Sequence, residues 1–120
     1  MKKAFLELDV FSGRENPRWE FPYESALELY NQINQFPVTA PTKDFDGLGY
    51  RGFILTIERD REQKIICYVY SDRIKISEGK IIHYKKDAHY TIERIFLQSS
   101  KNKIENLIFE NINKQISNRR

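Results

Sequence analysis

Four short runs rich in isoleucine, valine and tyrosine follow one another between residues 52 and 84, and the gaps between them are very short. The runs are 52–59 (GFILTIER), 64–70 (KIICYVY), 73–77 (RIKIS) and 80–84 (KIIHY). The gaps are 60–63, Ser71-Asp72 and Glu78-Gly79. Parallel neighbours need a crossover of about a dozen residues or more, whereas hairpins close with two to five. This part of the chain is therefore expected to be an antiparallel meander. The run 64–70 is apolar on both alternating faces and is expected at the centre of the sheet. The run 73–77 alternates cleanly and is expected at an edge.

The flanks add helices and one or two more strands. Residues 4–11 (AFLELDVF) alternate, with Leu6, Leu8 and Val10 on one side and Glu7 and Asp9 on the other, as in a half-buried strand. A loop follows at 12–17, then a short extended piece at 19–21. Ala26, Leu29, Tyr30, Ile33 and Phe36 recur at helical spacing and predict a helix over 23–36. Its start has two competing signals, a Ser25/Glu28 capping box and Pro22 in the first turn. Residues 37–51 form the longest loop. Two helical patterns close the chain, a short one at 90–98 and a strong one at 102–116 with the stripe Ile104, Leu107, Ile108, Ile112 and Ile116. Strands gathered in the middle with helices apart from them predict an α+β fold. The expectation is a single domain over 1–120, with an antiparallel sheet of four or five strands packed by the early and the C-terminal helix.

Composition narrows the function classes. With 40% hydrophobic and 31% charged residues, the chain suits a folded, water-facing domain. Cys67 is the one cysteine, so no intramolecular disulfide forms, which favours a reducing, cytoplasmic setting. Glu7 and Asp9 interrupt the apolar run behind Met1-Lys2-Lys3, and no stretch reaches the roughly 18 uncharged apolar residues of a membrane span. The formal charge is +3, with the basic excess in the second half. Those basic residues alternate with acids and never run longer than two, which argues against nucleic acid as a partner. Frequent isoleucine, asparagine and lysine point instead to an AT-rich bacterial coding sequence.

Several chemical motifs fail on context. Gly47-Leu48-Gly49-Tyr50-Arg51-Gly52 matches G-x-G-x-x-G, but it precedes an expected strand and opens no helix, so a dinucleotide site is not expected. His83, His89 and Cys67 show no ligand spacing, so neither a metal nor another cofactor is expected. Cys67 reads as a small hydrophobe in a central strand. The acids Asp9, Glu15 and Glu20, and the pair Asp44 and Asp46, could act as paired carboxylates only if their surroundings split their pKa values.

The strongest feature is a pair of loops, 11–19 (FSGRENPRW) and 48–53 (LGYRGF), each with glycine, arginine and a large aromatic residue beside a strand end. Arginine offers a planar fork of donors for carboxylate or phosphate, and tyrosine or tryptophan can stack on it or on a ligand. Arg14, Asn16, Trp19, Tyr50 and Arg51 are thus the candidate binding residues; the alternative is that the arginines tie the loops down by pairing with Asp9 or Glu20. These segments resemble the paired signatures F-S-G-R-x-N-P-x-W and L-G-Y-R-G-F of a family of small proteins with no established activity. The likeness covers 9–20 and 48–53. It implies a shared structural or binding motif of Ser12, Gly13, Arg14, Asn16, Pro17, Trp19, Tyr50, Arg51 and Gly52. Glu15 stands where that family commonly has proline, implying a less rigid loop. Two functions stay open. One is a non-catalytic binding or accessory module, of which an immunity-type protein is one form, recognising a protein segment or a small anionic group at the two loops. The other is a small enzyme using Asp9, Glu20, Arg14 and Arg51. If strands 4–11 and 52–59 are antiparallel neighbours, the two loops share one end of the sheet.

Overall fold

The computed structural model describes residues 2–41, 47–60 and 63–119. It is an α+β fold built on one antiparallel sheet of six strands. In chain order these are β1 (Lys3–Leu8), β2 (Arg18–Phe21), β3 (Phe53–Glu58), β4 (Lys64–Tyr70), β5 (Arg73–Glu78) and β6 (Ile81–Lys86). The spatial order is β2-β1-β3-β4-β5-β6, with every pair antiparallel. The meander runs from β3 to β6 as its short gaps require. The sixth strand is β2, the extended piece at 19–21 lengthened by Arg18 and laid against β1.

One face of the sheet carries the core. Ala4, Leu6, Leu8, Phe53, Leu55, Ile57, Ile65, Cys67, Val69, Ile74 and Ile76 alternate onto it and are buried. Three helices cover this face. In α1 (Tyr23–Asn34), Ala26, Leu29 and Ile33 turn inward. In α2 (Thr91–Ser99), Ile92, Phe96 and Leu97 do so. In α3 (Asn106–Ser117) the inward residues are Phe109, Ile112 and Ile116. Phe96 joins the layers, with its ring 6.0 Å from that of Phe21 and 5.9 Å from that of Phe53. Such aromatic pairs add to their area burial.

Local differences from the sequence expectation have simple causes. Pro22 is the N-cap of α1, and its carbonyl accepts the Ala26 N–H at 2.9 Å. The helix therefore opens before Ser25, and no capping box forms. The last helix starts at Asn106, after a turn in which Asn102 is left-handed (φ 72°). Phe109 replaces Leu107 on its inner line, because two residues turn a helix by about 200° and carry Leu107 to the far side. Leu107 is accordingly 82% exposed. The edge position expected for β5 belongs to β6, since alternation reports one buried face and says nothing about lateral neighbours. Likewise β4 is central but buried on one face only, with Tyr68 on the uncovered side.

These placements predict unequal costs in α3. Ile112→Ala should lower stability by about 2–5 kcal/mol through the cavity it leaves. Leu107→Ser should change it by less than about 0.5 kcal/mol. Urea unfolding of the two variants reads the difference directly, and equal losses would refute the assigned helix face.

Candidate functional site

The two motif loops meet at the end of the sheet. β1 and β3 pair with Leu8 opposite Phe53, so the exit of one lies beside the entrance of the other. The pairing continues past both ends: the Asp9 N–H donates to Gly52 O at 3.0 Å and the Arg51 N–H to Asp9 O at 2.7 Å. The Arg51 side chain then closes the junction. Its Nε and Nη2 donate to Asp9 Oδ1 at 3.1 and 2.8 Å. Nη2 also reaches Phe11 O at 2.6 Å, and Nη1 reaches Gly47 O and Gly49 O at 3.0 and 3.3 Å. One guanidinium thus fastens both loops, using its fork of donors on a carboxylate and three carbonyls. Asn16 completes the first loop. Its Oδ1 accepts the N–H groups of Val10 and Phe11 at 3.0 and 2.8 Å, and its Nδ2 donates to Glu7 and Asp9. This is why β1 ends at Leu8, with Val10 and Phe11 bonded to a side chain in place of a strand.

Gly52 is required by the same junction. Its φ is +106°, and a Cβ there would stand 2.3 Å from Val69 O. Only glycine tolerates both the left-handed backbone and that approach. The formal G-x-G-x-x-G thus serves an arginine clasp and a strand entrance.

Tyr50 connects the junction to a second region. It is buried, with its ring 5.9 Å from Phe53 and 5.6 Å from Tyr70. Its hydroxyl donates to Glu93 Oε2 at 2.6 Å, and Arg119 Nη1 donates to Glu93 Oε1 at 2.6 Å. Glu93 is fully buried on α2, and a carboxylate there is tolerable only because both oxygens are engaged. Burial, reinforced by Glu93, holds the Tyr50 phenol far above its ordinary pKa. Burial works against the Arg119 charge, but the hydrogen bond and the charge of Glu93, joined by Tyr50 and Tyr70, together outweigh it and raise its pKa. Arg119 also lies over the rings of Tyr70 and Tyr90, at 5.0 and 5.3 Å.

Beside this network lies a hollow of about 1050 Å³, open to solvent and lined by Asp72, Lys86, His89, Tyr90, Arg94 and Arg119 among others. Its rim is unusual backbone. His89 and Tyr90 are consecutive left-handed residues, φ 59° and 56°. Side chains larger than glycine adopt that conformation at a cost, which the surrounding structure must hold. Asp87 supplies the hold, its carboxylate accepting the N–H groups of Ile92 and Glu93 at the start of α2. Burial nevertheless raises the Asp87 pKa above its ordinary value. Of the charges on the hollow, Asp72 is paired with Arg73 at 3.4 Å. Lys86 is exposed, and Arg94 is exposed with its Nε on His89 O at 3.2 Å. Among the described residues neither of these cations meets a carboxylate.

The sequence-derived residues divide into two groups. Asn16, Tyr50 and Arg51 are engaged inside the fold. Trp19 is half-buried, opposite Leu6 and against the core. Arg14 is exposed, its guanidinium stacked 3.7 Å from the centre of the Phe11 ring. Asp9 is held by Arg51, whereas Glu20 is exposed opposite Phe5, four residues along β1 from Asp9, or about 13 Å. Glu15 is exposed at the loop tip, and Asp44 and Asp46 lie outside the described residues. Cys67 is buried, which pushes its thiol up to about 12. His83 lies 3.6 Å from Glu78, while His89 faces the hollow. Among the described residues no three His, Cys, Asp or Glu side chains cluster as a metal site. Glu93 was open to detection in sequence, as an acid inside the apolar stripe Ile92, Phe96 and Leu97. Lys86, Arg94 and Arg119 carry no such signal. Compared with family models, curated proteins and solved structures, the chain finds no significant match.

Two experiments check this geometry. Arg51→Ala should cost about 2–4 kcal/mol and Gly52→Ala about 2–3 kcal/mol in urea unfolding. Arg14→Ala should cost less than about 0.5 kcal/mol; a loss equal to that of Arg51→Ala would contradict the division of roles. Separately, Cys67 should resist an aromatic disulfide reagent at about pH 8 until the protein is unfolded. Rapid labelling of the native protein would show that β4 is open.

Proposed function

We propose that the chain is a non-catalytic binding module for a small anionic group, with the hollow beside α2 as its seat and the two motif loops as its frame. The observation that carries this reading is the convergence of Lys86, Arg94, Arg119 and His89 on one open concavity. Arg119 is oriented by Glu93, and Glu93 is in turn held by Tyr50 of the second motif. Lys86 and Arg94 keep donor capacity directed at solvent, which is what a carboxylate or phosphate requires. On this reading Arg51 and Asn16 shape the site from behind and do not touch the ligand. Arg14 offers a further cation at the first loop, where its stacking on Phe11 leaves N–H edges for an acidic protein segment. The enzyme reading has weaker support: Asp9 is consumed by Arg51 and Asn16, and Glu20 stands apart on the sheet edge.

Titration with inorganic phosphate, followed by backbone amide shifts, tests the site. The shifts should concentrate at residues 86–94, and they should weaken with added sodium chloride as expected of exposed charges. The double variant Lys86→Ala/Arg94→Ala should lose the response while its Tm stays within about 2 °C of the parent. Shifts centred on Arg14 would move the anion site to the first loop, and no response at either place would sink the reading.

A further inference from the structure

The edge formed by β6 is half closed by the chain itself. Residue Val38 bridges Lys85 in antiparallel sense. The Thr39 N–H donates to Tyr84 O at 3.1 Å, and the Lys86 N–H donates to Pro37 O at 2.9 Å. Even-numbered residues of β6 therefore turn their backbone groups outward, and odd-numbered ones bond to β5. Toward the Gly79 turn this cover ends. The N–H and C=O of Ile82 and the N–H of Tyr84 face outward with no partner among the described residues. The first two side chains of this stretch are apolar and open, Ile81 67% and Ile82 53% exposed, as is the nearby Val38 at 76%, whereas His83 and Tyr84 are half-buried. Natural sheet edges are usually blunted by charge, proline or a bulge, and an apolar, unpaired edge is a template for another strand.

We propose that residues 81–84 take up an extended, acid-flanked segment of a partner protein as an added strand. This interface borders the anion-binding hollow and shares Lys86 with it, but it rests on the open backbone edge and not on the anion-binding reading. The fold already demonstrates the mode, because residues 37–39 dock on the same edge through main-chain hydrogen bonds. Charge chooses the occupant. Lys80 and Lys86 are exposed at the two ends of the open stretch. Glu78, at the start of the hairpin, is engaged by the Tyr30 hydroxyl at 2.6 Å and faces His83. A second copy of this chain would bring the same lysines to the contact. A segment with apolar residues at alternate positions and acids at its ends would lay its apolar face beside Ile82 and set its acids near the lysines beyond. Main-chain bonds give affinity in such strand addition, and side-chain pockets and end charges give selectivity.

The test uses two acetylated nine-residue peptides with the same alternating valine–threonine centre, one flanked by aspartates and one by lysines, titrated into the full chain. The aspartate-flanked peptide should bind at least about ten-fold more tightly and slow hydrogen exchange at Ile82 and Tyr84. Ile82→Pro removes an outward N–H and leaves the β5–β6 ladder whole, so it should abolish binding with far-UV circular dichroism unchanged. Should that variant fail to fold, Ile81→Glu/Ile82→Glu supplies the block by repelling the aspartate flanks. Equal binding of the two peptides, no binding, or binding that survives these substitutions would overturn the proposal. So would sedimentation equilibrium showing a dimer that Ile82→Pro dissolves, since the occupant would then be a second copy.

Discussion

The Arg51–Asp9 junction is the contact on which the rest of the architecture leans. Two long connections, 9–17 and 47–52, end where β1 and β3 start to pair, and neither has regular structure to hold it. Left alone, their carbonyls would need water and their ends would fray. A single guanidinium accepts the work of several backbone partners because its five donors lie in a rigid plane. Asp9 neutralises the charge at 2.8 Å, and Asn16 takes up the N–H groups the strand has abandoned. Lysine could not substitute, as an ammonium on a flexible stem cannot meet carbonyls on two loops at once. Gly52 lets this clasp lie against β4 without collision.

From that junction a polar chain runs inward to α2 and on to Arg119. Tyr50 carries it inward, Glu93 receives it on α2, and Arg119 returns it to the surface beyond α3. A buried carboxylate would ordinarily be excluded from a core lined by Ile92, Phe96 and Leu97. Here its two oxygens find a phenol and a guanidinium, and the result specifies where α2 and the chain end sit relative to the second loop. The strained His89–Tyr90 corner is held by the same set of contacts, with Asp87 gripping the first turn of α2 and Arg119 covering the Tyr90 ring. Strain kept at the rim of a basic hollow is consistent with a binding surface, where shape is maintained at the expense of local stability.

The uncovered face of the sheet is handled differently. Phe5 lies under Arg18 at 4.0 Å, and Tyr68 lies under Lys75 at 5.2 Å. Long cationic side chains laid over aromatic rings shield apolar surface while keeping their charge in water. Arg18 and Lys75 thus help to cover this face. Toward β6 this cover thins, and Ile82 stands open on that face.

The hydrophobic periods in the chain determined the class of fold: α+β, an antiparallel meander, and two amphipathic helices, because periods of 2 and 3.6 report which face of an element is buried. The meeting of the two loops depends on strands 4–11 and 52–59 being antiparallel neighbours, a pairing that the tertiary structure supplies. Lateral order, too, was decided in three dimensions. Alternation cannot say whether β5 or β6 lies at the edge, nor whether an apolar strand such as β4 has one covered face or two. Nor could local spacing choose between Leu107 and Phe109, since the late start of α3 after the left-handed Asn102 sets the rotation of the helix. The candidate site shows the same divide. Arg14, Asn16, Trp19, Tyr50 and Arg51 were visible as residue types in a motif, but which of them turn inward depends on partners far along the chain. Asp9 lies 42 residues from Arg51, Glu93 lies 43 from Tyr50, and Arg119 lies 26 from Glu93. Hydrogen bonds across such separations leave no local period in a sequence, so only the packed structure could assign Arg51 to the frame and Lys86, Arg94 and Arg119 to the hollow.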